Sequence, residues 1–109
     1  MSLSIVVLVK NEEKNIKKCL EACLFADEIL VIDDLSQDDT SKIVKSFEKD
    51  KIKLIQRELN SDFSAQRNFA LEKVTGEWIL FIDADEYISK ELAAEIVQIT
   101  NSQTLQNGF

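Results

Sequence analysis

Short apolar runs alternate along the chain with stretches in which apolar residues recur at helical spacing. Four runs predict buried strands: Leu3–Val9, Glu28–Ile32, Lys51–Gln56 and Glu77–Ile82. After each run, apolar side chains recur every three or four residues, which indicates an amphipathic helix. The order β-α-β-α-β-α-β-α is typical of a parallel sheet with right-handed crossovers. The pattern therefore predicts an α/β fold with helices flanking a parallel sheet.

Polar residues indicate where the helices begin and end. Asn11 is predicted to cap the first helix, and the second runs from Thr40 to Glu48. Ser61 or Asp62 is predicted to cap the third helix, which continues to about Val74. Gly76 is predicted to mark a helix stop, and Ser89 is predicted to cap the last helix. The last helix is expected to bury three residues on one face, Leu92, Ile96 and Ile99.

Composition limits the classes of protein that this chain can represent. It has 109 residues, of which 45% are hydrophobic, enough for one domain with a core. Its net charge of −7 argues against binding to a nucleic-acid backbone or an anionic membrane surface. Apolar runs such as Ile5–Val9 are too short for a membrane span or a signal peptide. Cys19 and Cys23 share a helical face and are interpreted as core residues rather than a redox pair, and the lack of a disulfide framework favours the cytoplasm.

The residue types that are missing exclude several kinds of site. The sequence contains no His, which excludes Ser-His and Cys-His nucleophile systems and His-based metal sites. It has two Gly and neither a G-x-G-x-x-G nor a Walker A motif, which excludes the usual glycine-based phosphate cradles. Any chemistry therefore depends on carboxylates, Lys, Arg, hydroxyls or the backbone.

Charged residues follow three of the predicted strands. The segments are Lys10-Asn11-Glu12, Asp33-Asp34 and Asp83-Ala84-Asp85-Glu86. The carboxyl ends of parallel strands meet at one edge of the sheet, where open α/β folds bind ligands. Carboxylates gathered there repel one another unless a cation joins them, and Mg²⁺ or Mn²⁺ suits oxygen ligands. We therefore expect a divalent cation that bridges this edge to a diphosphate ligand.

Some of these charged residues have structural interpretations as well. Asp38 and Asp39 precede a helix, where acids often serve only as caps or dipole partners. Arg67 falls on a helical stripe that we expect to face inward, with Phe63, Ala70 and Val74. A buried Arg needs a partner. The residues leave three choices open: a buried Asp, a phosphate or base at the edge, or Asp83 or Asp85.

Three segments carry a longer pattern: VVLVKNEEKNI, EILVIDDLSQDDT and SAQRNFALEKVTGEWILFIDADE. In this order they resemble the nucleotide-sugar domain of family 2 glycosyltransferases, and most closely bacterial lipopolysaccharide-core β-1,4-glucosyltransferases. The resemblance covers roughly residues 3–100. It implies a Rossmann-like parallel sheet that forms the N-terminal half of a GT-A fold. It also implies a sugar-donor domain over residues 1–100 and an unpatterned tail at 101–109.

The resemblance assigns nucleotide contacts to five positions outside the last motif. Leu8, Lys10 and Glu12 stand where the family's first motif contacts the nucleotide, although many relatives have Pro and Tyr or Thr there. Asp34 matches the Asp that reads the base, usually uracil. Arg67 matches a basic residue near the nucleotide.

The last motif, Asp83-Ala84-Asp85, matches the family's D-x-D signature. Asp85 would hold the metal, Mn²⁺ or Mg²⁺, that bridges the diphosphate. Asp83 would lie near the ribose or the waters of the metal, and both Asp83 and Ala84 would contact the nucleotide sugar.

The activity implied by the resemblance is inverting transfer from a UDP-sugar to a glycan or lipid-linked acceptor, in cell-envelope polysaccharide or lipopolysaccharide synthesis. The metal stabilises the departing diphosphate, and a carboxylate base deprotonates the acceptor. In this family the base lies well downstream of D-x-D, so we expect the 109-residue chain to bind the sugar donor without transferring the sugar. The expected location is cytoplasmic, at the inner face of the membrane for a full-length protein. An exposed sheet edge would allow self-association.

Three other functions compete with this interpretation. A haloacid-dehalogenase-type phosphatase also uses D-x-D, but Tyr87 stands where Thr or Val is usual. A signalling receiver domain has its acidic pair after the first strand, whereas Asp33 and Asp34 follow the second. A non-catalytic nucleotide-binding domain is the third alternative.

Overall fold

The computed structural model describes residues 2–47 and 49–101. Its strands are β1 (Leu3–Val9), β2 (Glu28–Asp33), β3 (Ile52–Gln56) and β4 (Trp78–Asp83). They alternate with α1 (Ile16–Cys23), α2 (Thr40–Lys45), α3 (Phe63–Lys73) and α4 (Lys90–Asn101). All neighbouring strands are parallel, in the order β3-β2-β1-β4. The predicted α/β fold with a parallel sheet is confirmed.

The two faces of the sheet are covered unequally. Because side chains alternate along a strand, Ile5 and Val7 of β1 face the larger core, formed with α1, α2 and α4. Val6 faces the smaller core, which is covered by α3. Cys19 and Cys23 are buried free thiols in the larger core, which confirms their interpretation as core residues.

A buried carboxylate joins the amino ends of three strands. The side chain of Glu28 accepts hydrogen bonds from the Ser4 hydroxyl (2.7 Å), the Thr75 N–H (2.9 Å) and the Lys53 ammonium (3.0 Å). Gly76 N–H donates to Ser4 Oγ at 2.9 Å. A Cβ at Gly76 would lie 2.7 Å from Ser4 N, so this close approach requires glycine. The predicted end of the third helix near Val74 is confirmed, since α3 ends at Lys73 with Val74 as its C-cap.

The helix caps are partly as predicted. Asp62 caps α3 by accepting from the Ala65 N–H at 3.0 Å. Ser89 Oγ accepts from the Leu92 N–H at 3.0 Å, at the start of α4. The predicted cap at Asn11 is wrong, because α1 begins at Ile16 and Asn11 adopts φ 52°. Its side chain instead accepts from the Gln37 N–H (2.8 Å) and joins two loops.

The buried face of α4 also differs from the prediction. Ile96 is buried as expected, but Leu92 and Ile99 are 44% and 43% exposed. Thr100 takes the second buried position because it lies four residues after Ile96, on the same helical face. The second helix was predicted to run to Glu48, but α2 ends at Lys45. The predicted tail lies outside the described residues apart from Asn101, which is the last residue of α4. No helix in the described ranges is long and apolar enough to cross a membrane.

Candidate functional site

A cleft of about 140 Å³ opens at the carboxyl end of the sheet. It brings together four of the residues predicted from the sequence: Leu8, Lys10, Asp34 and Asp83. They come from the ends of β1, β2 and β4, which neighbour one another in the sheet. The expectation that these strand ends share one edge is therefore confirmed, and the edge contains a concave site.

Two adjacent aspartates at the end of β2 have different roles. Asp33 is fully buried and accepts hydrogen bonds from the Ser36 hydroxyl and from Gln56 Nε2 (3.1 Å). Asp34 is half-buried, and its Oδ1 accepts from the Leu59 N–H at 2.9 Å. Its Oδ2 lies 3.9 Å from Lys10 Nζ. Asp33 is thus structural, whereas Asp34 lines the cleft.

The cleft also contains residues that were not assigned to a site from the sequence. Leu59, Phe63 and Gln66 line the cleft. Gln66 is buried, and its Nε2 donates to the Arg57 carbonyl at 3.0 Å while its Oε1 accepts from the Arg57 guanidinium. These two hydrogen bonds hold the connection between β3 and α3 in place. The capping residue Asp62 was the signal in the sequence for where α3 begins, but it did not show which residues of α3 line the cleft.

Arg67 does not face inward as predicted. It is exposed, and its guanidinium lies over the Phe81 ring, 5.5 Å from the ring centroid. Gln66 and Ala70 hold the buried positions of α3. The sequence left the partner of Arg67 open. The structure supports Asp83, because the positive charge of Arg67 lowers the pKa of the Asp83 carboxyl group.

The pKa of Asp83 shows how the charges at this edge combine. Partial burial raises the pKa of Asp83, and the negative charges of Glu86 and Asp85 raise it further. The positive charge of Arg67 lowers the pKa of Asp83, and the negative charge of Glu12 raises it. The edge therefore concentrates negative charge, as the sequence analysis expected.

The D-x-D segment divides across a turn. Asp83 is paired in register with Leu8 and lines the cleft. Ala84 is buried, and its N–H donates to the Leu8 carbonyl at 3.3 Å. Asp85 is exposed and lines a second small cavity of about 130 Å³, shared with Glu86. Since Glu86 Oε1 also accepts from the Asp83 N–H at 2.7 Å, this turn is held in place by the acidic residues themselves.

The donor atoms at this edge fit a divalent cation. No three His, Cys, Asp or Glu side chains within residues 2–47 and 49–101 form a ready-made metal cage. Mg²⁺ commonly takes only one or two protein carboxylates and completes its shell with phosphate oxygens and water. Asp83 and Asp85 are exposed carboxylates at this edge, and the charge of Asp85 acts on Asp83. They suit a cation that arrives with a phosphate-bearing ligand.

Glu12 lies outside the cleft and connects two loops. Its N–H donates to Thr40 Oγ1 at 2.9 Å. Asp38 accepts from the Thr40 hydroxyl and from the N–H groups of Thr40 (3.0 Å) and Glu13 (3.2 Å). The bond from the Thr40 hydroxyl is the main reason why the pKa of Asp38 is lowered. The structural interpretation of Asp38 is confirmed, whereas Asp39 occupies the N-cap position without a side-chain cap bond.

Comparison with known proteins finds similarity along most of the chain. A family model described as Glycosyl transferase family 2 matches residues 4–103. The chain is 42% identical over 94 residues to the SPbeta prophage-derived glycosyltransferase SunS of Bacillus subtilis, covering 85% of this chain and 22% of that protein. It is 38% identical over 99 residues to the poly(ribitol-phosphate) beta-N-acetylglucosaminyltransferase TarS of Staphylococcus aureus, covering 84% of this chain and 17% of that protein.

A solved structure is similar as well. The crystal structure of S. aureus TarS 1–349 matches with a TM-score of 0.78 and 34% sequence identity. The match covers 94% of this chain and 33% of that one. The chain thus spans only about a fifth of the length of these two curated relatives.

Proposed function

The chain belongs to glycosyl transferase family 2, and from this premise we propose that it is the part of an inverting glycosyltransferase that binds the sugar donor. Its parallel sheet is the Rossmann-like N-terminal part of a GT-A fold. The observation that carries the proposal is the cleft in which Leu8, Lys10, Asp34 and Asp83 meet. The proposed ligand is a nucleoside-diphosphate sugar.

The size and chemistry of the cleft favour uracil as the base. Its volume of about 140 Å³ is well below the roughly 300–1,000 Å³ of sites that enclose a whole drug-sized ligand. One ring fits inside, and the remainder of the nucleotide lies outside along the sheet edge. Asp34 Oδ2 can only accept a hydrogen bond. Uracil presents a ring N–H to such an acceptor, whereas cytosine and adenine present a ring nitrogen that is itself an acceptor.

The groups outside the cleft suit a diphosphate. Lys10 lies at its mouth, and Arg67 lies over Phe81 beside Asp83. Asp85, with Asp83, would hold Mn²⁺ or Mg²⁺. The cation supplies charge neutralisation for a departing nucleoside diphosphate. Glu12 supports the site indirectly, because its backbone joins the loop after β1 to Thr40.

The proposed acceptor is a glycan or lipid-linked molecule of the cell envelope. The relative TarS is a poly(ribitol-phosphate) beta-N-acetylglucosaminyltransferase, and the acceptor in its name supports this class. A lipopolysaccharide-core acceptor and a cytoplasmic location at the membrane's inner face stay predictions. The phosphatase and receiver alternatives lose their support, because the family match covers residues 4–103 and the acidic pairs follow β2 and β4.

Calorimetry with nucleoside diphosphates tests this function. We expect UDP to bind in the presence of Mn²⁺, and more tightly than CDP, ADP or GDP. Asp85→Ala should abolish the dependence on Mn²⁺, because it removes the proposed metal ligand. Asp50→Ala is the matched control, since it removes the same charge from an exposed residue just before β3, at the opposite end of the sheet. Failure of every nucleoside diphosphate to bind, with and without metal, would refute the proposal.

A further inference from the structure

Phe63 is the one aromatic side chain among the described residues that line the cleft. It is the first residue of α3, and 61% of its surface is exposed. It does not pack in the smaller core on its side of the sheet, where Phe69 and Phe81 do. A single exposed apolar residue is ordinary on a protein surface. What distinguishes Phe63 is that it shares a concave site with a carboxylate.

The backbone that carries Phe63 is held rigidly. Asn60 and Ser61 adopt φ values of 52° and 59°, a region that non-glycine residues seldom occupy. The Asp62 N–H donates to the Leu59 carbonyl at 3.0 Å, and the Asp62 carboxylate caps α3. Leu59 is in turn bonded to Asp34. Hydrogen bonds therefore connect the backbone just before Phe63 to the Asp34 side chain.

The other residues that line the cleft offer aliphatic and charged groups. Leu8 and Ile32 are aliphatic, and Lys10 is 61% exposed on a flexible side chain. A nucleobase has a polar edge and two flat faces, and an aromatic ring is the protein group that stacks on such a face. In the proposed complex, Asp34 binds the polar edge of the base. The flat face of the base then still needs a side chain that stacks on it.

We infer that Phe63 stacks on the base whose edge Asp34 reads, and that it contributes to nucleotide specificity. This inference rests on the proposed function, because it needs a nucleotide in the cleft. Lys10, in the motif after β1, is not aromatic and does not supply a ring that stacks on the base. The inference therefore assigns the stacking contact to the start of α3.

Substitutions at Phe63 test the inference by calorimetry with UDP and Mn²⁺. Phe63→Ala should weaken UDP binding about 5- to 150-fold, the range found when a stacking side chain is removed. Phe63→Trp should retain binding, and Phe63→Leu should fall between the two. Leu71→Ala is the control, since Leu71 is 48% exposed on the same helix but does not line the cleft. Thermal unfolding of each variant checks that the fold is intact.

Two further measurements separate stacking from a general disturbance of the site. Pyrophosphate with Mn²⁺ has no base, so Phe63→Ala should bind it as the wild type does. In Phe63→Trp, UDP should change the emission of the new Trp, whereas wild-type Trp78, buried at the start of β4, should respond little.

The outcomes distinguish the inference from the function on which it rests. If the wild type binds UDP and Phe63→Ala binds it equally well, the stacking role is refuted and the proposed function stands. If Phe63→Ala loses pyrophosphate and UDP alike, the residue acts on the site as a whole and stacking is again refuted. If the wild type binds no UDP, both fall.

Discussion

The two oxygens of the Asp34 side chain have different neighbours, which makes a single-atom substitution informative. Oδ1 is held by the Leu59 N–H, so in Asp34→Asn the amide oxygen should keep that position and the NH₂ group should replace Oδ2. The cleft would then present a hydrogen-bond donor to the base. UDP binding should weaken about tenfold or more, since a hydrogen bond to a charged group contributes roughly 1.5–3 kcal/mol, and CDP binding should improve.

The ratio of the CDP and UDP dissociation constants, measured by calorimetry, is the deciding quantity for Asp34→Asn. Asp39→Asn makes the same charge change at an exposed residue whose side chain forms no cap bond, and it should leave the ratio unaltered. An unchanged ratio in Asp34→Asn would show that Asp34 does not read the base.

The sequence could predict individual site residues only where they follow a strand directly. Lys10, Asp34 and Asp83 were found because the end of an apolar run marks the end of a strand, whereas Leu8 was assigned only by the family resemblance. Phe63 was missed as a cleft residue because its orientation depends on the connection between β3 and α3. That connection is set by two positive φ values and by a hydrogen bond between residues 34 and 59, which are far apart in sequence.

At the level of elements, the network around Glu28 predicts how stability depends on pH. Burial alone would raise the pKa of Glu28, but bonds from the Thr75 N–H, the Ser4 hydroxyl and the Lys53 ammonium outweigh it and lower the pKa below its usual value of 4.5. A carboxylate with a lowered folded-state pKa stabilises the fold above its unfolded pKa, and this contribution is lost as the pH falls through the folded value.

Glu28→Gln should therefore destabilise the protein by about 1–3 kcal/mol near neutral pH, because several buried hydrogen bonds lose a charged partner. The difference from the wild type should shrink as the pH falls below 4.5. Urea unfolding across this range measures it. Glu72→Gln, at an exposed position of α3, should cause no comparable loss of stability, either near neutral pH or in acid. A difference that stays constant into acid would mean that the charge of Glu28 is not what stabilises the network.

Strands were predicted more accurately than helix faces, for a physical reason. A buried parallel strand reads as a continuous apolar run, so β1 and β2 were located within one residue. A helix face depends on the rotation at which the helix docks on the sheet. The stripe of α3 was predicted through Phe63, Arg67, Ala70 and Val74. Ala70 is buried as predicted, but Phe63 and Arg67 are exposed and Gln66 is buried instead. Gln66 is polar, so hydrophobic spacing gave no reason to place it inside.

For the whole molecule, the net charge of −7 predicts how UDP binding responds to salt. The acidic groups around Asp83 reinforce the overall charge at the site itself. Without a divalent cation, a nucleoside diphosphate approaches a protein of its own sign. Raising the ionic strength from low values to about 0.15 M, where the Debye length is about 8 Å, screens that repulsion. Metal-free UDP should then bind more tightly as salt increases.

With Mn²⁺ present, the effect of salt on UDP binding should change direction. The cation cancels much of the charge of the diphosphate and is itself attracted to Asp85, so added salt should leave binding unchanged or weaken it. Calorimetric titrations of UDP across a salt series, with Mn²⁺ and with a chelator, compare the two slopes directly. Asp85→Ala should make the Mn²⁺ slope resemble the metal-free one, and Asp50→Ala should not. Two slopes of the same sign in the wild type would contradict a cation bridging the acidic edge and the diphosphate, because bridging is what reverses the sign of the interaction.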